Sequence, residues 1–471
     1  MRGPLLIEAT ALPVPTPREI ADRLAKGIRS ASRHLVAARR AGKLNEMSIA
    51  GAIRLTFEDL GGTFTKFGQL IASSPSIFGE EVAHEFRGCL DSGPAVPFYA
   101  VRAVVEADLG RPLHEIYASF DPEPIAAASL AVVHRATLAD GTPVAVKVLR
   151  PDISRRIATD LAVLRPLCRF IARQVAVGIA GTLSGLVDGL EIQVAEELDF
   201  NNEARSLRWF RTVLDEIGVD RLVIPEVFDD YCGRHVITME LLDGVPVDDA
   251  EAIAALGVDP TPLLHECIRV WFATTLCAGA FHGDIHAGNL LVRANGTMAL
   301  LDWGIVGRLD EATAMFFRRM IEGVLGDDDA WADVAAHVKA TYGTGLVDAL
   351  GVDEDQFTAF VRSQVEPLFT VPFGQVDLRT MLIGDGATDG KRAGQRTRRE
   401  AVRNWWSERK RQQALMDLEG YGGGFDQATF LLSKQLVYLD RYGKQFLPDT
   451  PLLDDPVIFR ALLEAPQLKT A

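Results

Sequence analysis

Three separated segments carry the residue types that phosphoryl transfer requires. In Val144-Ala-Val-Lys147 a lysine ends a β-branched run, where it can hold a nucleotide's phosphates as a fixed positive charge. Its flexible stem needs a carboxylate from a neighbouring helix, and Glu197 and Glu203 lie at suitable distances along the chain. In Phe281-His-Gly-Asp-Ile-His-Ala-Gly-Asn289, Asp284 and Asn289 stand five positions apart. At that spacing one carboxylate orients an attacking hydroxyl and one amide oxygen binds a metal. In Leu301-Asp-Trp-Gly304, Asp302 leaves a strand into a glycine, so it can chelate magnesium that bridges the phosphates and complete a clamp with Asn289.

Taken singly, each segment has a plainer reading. A strand lysine is usually solvated, and an Asp-Trp-Gly is usually a surface turn. His282 and His286 beside Asp284 suggest a metal site instead, but no third nitrogen or sulfur ligand is placed nearby. Co-occurrence in this order carries the inference.

The elements that must position these residues can be read from periodicity and turn chemistry. Residues 132–138 and 143–149 are two strand-like runs joined by Asp140-Gly141, a pair that tolerates the positive φ of a tight hairpin turn. A second hairpin is expected at 290–293 and 297–301 around Asn295-Gly296. Residues 223–227 and 235–241 read as short strands, whereas 98–109 and 151–210 have helical periodicity. Residues 17–43 form a basic amphipathic helix with Ile20, Leu24, Ile28 and Leu35 on one face. The bland reading packs it on the body, and the sharper one lays it on a membrane surface. A small sheet with a long helix, followed by a helical half that carries a hairpin, predicts an α+β, two-lobed protein-kinase-like fold.

Composition narrows the function classes. The net charge of −15 lacks the basic footprint that wrapping nucleic acid needs. Five scattered cysteines without a CxxC pair suggest neither zinc nor a disulfide framework, so a reducing compartment fits. The chain has no run of about 18 apolar residues that would span a membrane. Its first residues lack the pattern of a secretory signal, so a cytoplasmic location is expected.

Four further motifs give the sequence its resemblance to a known family. Lys66-Phe-Gly-Gln69 resembles the KxGQ signature of the UbiB, or AarF-type, atypical kinases, through Lys66, Gly68 and Gln69. Ala126-Ala127-Ala128-Ser129 is similar to that family's alanine-rich nucleotide loop, and Glu197-Leu-Asp199 to its ExD motif, with Glu203-Ala204 at the family's spacing. The likeness runs from about residue 55 to 307, and less closely to 448. It departs at Val132, Ala287 and Trp303, where the family commonly has Gln, Pro and Phe. None of these removes a charged catalytic group.

The resemblance implies a helical KxGQ extension over 1–110, a kinase-like N-lobe over 111–242 and a helical C-lobe over 243–471. It implies that Lys147 pairs with Glu203, that Asp284 is the catalytic aspartate and that Asn289 and Asp302 bind Mg2+. Nucleotide, ATP or ADP, would contact Ala126, Ala127, Ala128, Ser129, Lys147 and Glu240. The KxGQ helix would lie over the cleft with Lys66 close to Glu197 and Asp199, blocking a peptide substrate. Alanines in the loop restrict the backbone that glycines would leave free, in keeping with the family's unusual nucleotide preference. Family members support isoprenoid-quinone metabolism at membranes and show ATPase activity stimulated by lipid-like compounds, so a lipid or quinone-precursor-like small molecule is the expected partner.

Two rival readings remain: a small-molecule phosphotransferase of the aminoglycoside or choline kinase kind, which lacks a KxGQ extension, and a non-catalytic pseudokinase lipid chaperone. Segment 391–411 mixes nine Arg and Lys side chains with Trp405 and Trp406. It reads as a solvated helix and its loop or as a peripheral membrane contact.

Overall fold

The computed structural model describes residues 5–40, 46–72, 80–86, 88–89, 95–172, 177–342, 352–375 and 427–465, so the basic segment 391–411 lies outside the described residues. The chain opens with α1 (Pro17–Arg40), α2 (Glu46–Leu60), α3 (Thr63–Ala72) and α4 (Glu80–Phe86). Next come α5 (Phe98–Leu109) and α6 (Leu113–Ile116), then β1 (Ser119–Ala127), β2 (Ala131–Thr137) and β3 (Pro143–Leu149). Three helices follow: α7 (Ile153–Ala172), α8 (Val177–Glu197) and α9 (Phe200–Ile217). Strands β4 (Leu222–Val223), β5 (Val236–Glu240) and β6 (Val245–Pro246) lead into α10 (Ala250–Leu256) and α11 (Thr261–Ala278).

The second half continues with β7 (Ala280–His282), β8 (Leu290–Val292), β9 (Met298–Leu300) and β10 (Val306–Arg308). It is completed by α12 (Glu311–Val324), α13 (Ala330–Tyr342), α14 (Glu354–Thr370), α15 (Gln427–Phe446) and α16 (Pro456–Glu464). One antiparallel sheet has the order β1-β2-β3-β5, a second sheet has β4-β9-β8-β6, and β7 pairs with β10. This is the two-lobed α+β arrangement of a protein-kinase-like fold.

Both Gly-containing turns close hairpins, because Gly141 and Gly296 adopt φ of 89° and 77° that a Cβ would strain. Strand β3 shows why its lysine faces the cleft. Val144, Val146 and Val148 are fully buried against Val101 and Val105 of α5. Period-two alternation therefore turns Ala145, Lys147 and Leu149 to the opposite face.

Three expectations change in detail. The helical stretch 151–210 is divided among three helices, and α9 begins where the Asp199 carboxylate caps it by accepting from Asn201 N. Residues 223–227 contribute only Val223 to the two-residue β4, and Val227 forms an isolated bridge to Met239. The alanine-rich loop is half strand: Ala126 and Ala127 pair with Val133 and Val132, so the turn itself is confined to 128–130.

Helix α1 packs on α2 and α7 through charge more than through its apolar face. Arg23 Nε donates to Asp160 Oδ1 at 2.5 Å, and Arg33 and His34 both reach Asp59. Leu24 and Ile28 remain 48 % and 58 % exposed. At the C-terminal end of α2 the Leu60 carbonyl accepts from Arg23 Nη2 at 2.9 Å and from Arg156 Nη2 at 2.6 Å. These two guanidiniums satisfy an orphan helix-end acceptor and tie α1, α2 and α7 together.

Candidate active site

Lys147 meets two carboxylates from different elements. Its Nζ donates to both oxygens of Glu203 at 2.9 Å and to Asp302 Oδ2 at 2.8 Å. Glu203 comes from the first turn of α9, and Asp302 follows β9. Burial works against the Lys147 ammonium, but Asp302 and Glu203 outweigh it and hold its pKa above the ordinary lysine value. Burial pushes Glu203 up to about 7 against the pull of Lys147. Asp302 is also penalised by burial, yet Lys147 and the Gly304 N–H keep it well below the usual carboxylate range. Its side chain is 39 % exposed, which makes it the most exposed member of the trio.

Gly304 lets these groups converge. Its N–H donates to Asp302 Oδ1 at 2.9 Å, and a Cβ there would come within 3.1 Å of the same oxygen and 3.8 Å of Glu197. Glu197 in turn takes Lys66 Nζ at 2.9 and 2.8 Å, so the KxGQ lysine is joined to the first acidic residue of the ExD motif. Asp199 was expected beside Lys66 as well. Its carboxylate is instead the α9 cap and lies 3.9 Å from Arg234 Nε. In α3, Phe64, Phe67 and Ile71 are buried, while Lys66 and Gln69, three apart, share the less buried face.

The loop after β7 is held by its histidines. His282 Nε2 donates to the Asp302 carbonyl at 2.5 Å, and its Nδ1 accepts from Asp284 N at 3.0 Å. Burial pushes this imidazole down to about 4, consistent with a neutral ring that donates on one side and accepts on the other. His286 Nδ1 accepts from Gly288 N at 3.0 Å. Both rings are thus engaged with backbone, and among the described residues no cluster of three or more His, Cys, Asp and Glu could hold a metal ion by itself. Asn289 Nδ2 donates to the Asp284 carbonyl at 3.1 Å, which fixes the amide so that Oδ1 is the atom able to accept a metal.

The donor set fits magnesium with a nucleotide. Mg2+ takes hard oxygens, and in phosphotransfer sites one or two protein ligands suffice because phosphates and waters fill the rest. An exposed Asp302 carboxylate and the Asn289 amide are of that kind.

The remaining nucleotide candidates sit on the β1-β2-β3-β5 sheet and the turn after β1. Ala126, Ala127 and Ala128 are exposed, Ser129 is buried, and the Ala128 carbonyl accepts from Arg150 Nε at 2.9 Å. Glu240 ends β5 opposite Val144, and its carboxylate accepts from Glu226 N at 3.3 Å.

Several supports were not foreseen from the sequence. Lys434 Nζ of α15 lies 2.7 Å from Asp284 Oδ1. Next to it, the fully buried Gln435 accepts from Ile285 N at 2.9 Å and donates to the Gly283 carbonyl at 2.6 Å. Tyr442 Oη donates to the Ile285 carbonyl at 2.9 Å. Trp303, flagged only as a departure, packs between Phe210 and His282 at centroid distances of 4.2 and 4.6 Å.

The chain is similar in sequence to several known proteins. The sequence profile of the ABC1 atypical kinase-like domain matches residues 89–334. An aarF domain-containing protein kinase of Arabidopsis thaliana, described as chloroplastic, is 32% identical over 409 residues, which is 86% of this chain and 73% of the relative. A relative named as the protein kinase UbiB of Xanthomonas euvesicatoria is 33% identical over 357 residues, 73% of this chain and 62% of its own length. Among solved structures, Rv3197 of Mycobacterium tuberculosis with erythromycin is similar at a TM-score of 0.39 and 22% identity, covering 71% of this chain and 85% of that one. On the profile match and the Arabidopsis relative, the chain belongs to the ABC1 atypical kinase-like family, with homologues named as AarF and UbiB kinases.

Proposed function

We propose that this chain is a UbiB-like atypical kinase or ATPase that binds Mg-nucleotide and acts on a lipid or quinone-precursor-like small molecule rather than on protein. The carrying observation is the convergence of Lys147, Glu203 and Asp302 within hydrogen-bond distance, beside a loop that presents Asp284 and Asn289. When bound, magnesium would supply charge neutralisation at the phosphates, with Asp302 and Asn289 as its protein ligands. Lys147, released from Asp302, would steady a phosphate while Glu203 keeps its stem in place. Asp284 would orient the acceptor oxygen and take up its proton. Burial raises the pKa of this carboxyl, but Lys434 and then His286 outweigh it and hold Asp284 below the usual value, in the ionised form that such a role needs.

Exclusion of a peptide is supported by Lys66 and Glu197, whose ion pair lies beside Gly304 at the metal aspartate. The test is Mg-dependent nucleotide binding and ATP hydrolysis, with and without anionic vesicles carrying a quinone-precursor mimic. Wild type should turn over ATP, and Asp302→Asn should lose both metal-dependent binding and turnover. Undiminished turnover in Asp302→Asn would refute the assignment. Efficient phosphorylation of a soluble amino sugar or choline would favour the soluble-substrate phosphotransferase instead.

A further inference from the structure

The loop from Asp284 to Asn289 contains no lysine or arginine. A phosphoryl group in transfer spreads negative charge over its oxygens, and an ionised aspartate beside it adds repulsion. A fixed cation at the aspartate offsets that repulsion. Lys434 is placed to be this cation: its Nζ lies 2.7 Å from Asp284 Oδ1 and 5.8 Å from the centroid of the Tyr438 ring. The two partners are each about four-fifths covered, at 19 % and 20 % side-chain exposure. Burial alone would lower the Lys434 pKa, but Asp284 holds it above the usual lysine value.

The register of α15 on the loop is fixed independently of this ion pair. Gln435 spans Gly283 and Ile285, and Tyr442, two turns further along, grips the Ile285 carbonyl. These three bonds are to backbone at 283–285, so the helix and the loop form one unit around Asp284. A surface ion pair with two free stems would have no such scaffold and would contribute little.

We propose that Lys434 is a positioning residue for Asp284: it holds Oδ1 against α15, leaves Oδ2 for the acceptor, and offsets the carboxylate's charge beside the phosphoryl group. The inference rests on the phosphotransfer reading above. In ATP hydrolysis the water oxygen bonds to the γ-phosphorus as the β–γ bridging oxygen leaves with ADP, and the water's proton passes to Asp284. Lys434 transfers no proton in this step.

The experiment compares full-length wild type with Lys434→Met, Lys434→Gln and Lys434→Arg, reading kcat and KM for Mg-ATP, Kd for Mg-ADP, and thermal unfolding. Lys434→Met and Lys434→Gln should lose about tenfold or more in kcat, while Mg-ADP affinity and melting temperature stay near wild type. Lys434→Arg should recover part of the loss. A kcat at or above the wild-type value in Lys434→Met would overturn the inference, and so would a loss that merely tracks weakened Mg-ADP binding or unfolding in both neutral variants. An inert wild type whose Mg-nucleotide binding equals that of Asp302→Asn would remove the phosphotransfer reading and this inference together. An active wild type with silent Lys434 variants would remove only the inference.

Discussion

The ring of His282 joins two chain segments by donating to the Asp302 carbonyl and accepting the Asp284 amide. It therefore spaces the two aspartates that the proposed chemistry uses. Replacing His282 by Leu keeps apolar bulk but leaves the partly buried Asp302 carbonyl and Asp284 N–H without this partner. Each orphaned group costs about 1–3 kcal/mol, so the variant should unfold at clearly lower urea concentration. Equal midpoints for the two proteins would contradict this.

Lys147 and Glu203 form a buried pair whose halves should not be separable. Lys147→Met strands the Glu203 carboxylate and should destabilise the fold by about 3–5 kcal/mol. Adding Glu203→Leu removes the stranded charge and should restore much of that loss. The coupling can be read from a double-mutant cycle by denaturant unfolding, and additive losses would argue against direct pairing.

Gly68 of the KxGQ motif is held to its size by Cys89. A Cβ on Gly68 would lie 2.7 Å from Cys89 Sγ and 3.3 Å from Phe86 Cδ1. Gly68→Ala should cost about 1–3 kcal/mol by overpacking, and Cys89→Ala in the same chain should relieve part of it. Thermal unfolding of the three variants checks the expectation, and no rescue by Cys89→Ala would reject the stated cause.

Burial pushes the thiols of Cys168 and Cys267 up to about 12. Both should remain protonated at pH 8 and resist alkylation by iodoacetamide in the native protein. Labelling should appear only after denaturation, as mass mapping of the modified peptides would reveal. Rapid native labelling at either position would place that thiol outside the core.

Much of the scaffold was readable because its signals are local. Asp140-Gly141 and Asn295-Gly296 encode their turns within two residues, and Gly110 ends α5 in the left-handed conformation. The pairing of Lys147 with Glu203 and of Lys66 with Glu197 came from family spacing, and the geometry contains both contacts. Lys434 was invisible for a physical reason: it meets Asp284 across 150 positions, and a lone lysine on a helix has no sequence mark that distinguishes it from a solvated one. Asp199 caps α9, a role the sequence did not single out because an acidic residue before a helix reads equally as a site group or a cap. For α1 the stripe left open a helix packed on the body or laid on a membrane surface; salt bridges hold it to the body and leave Leu24 and Ile28 in the open.

The shared grip of Arg23 and Arg156 on the Leu60 carbonyl has a mechanical result. Because α7 leads directly into the helices that carry Glu197 and Glu203, the KxGQ segment is a passenger on the same frame as its own acidic partner.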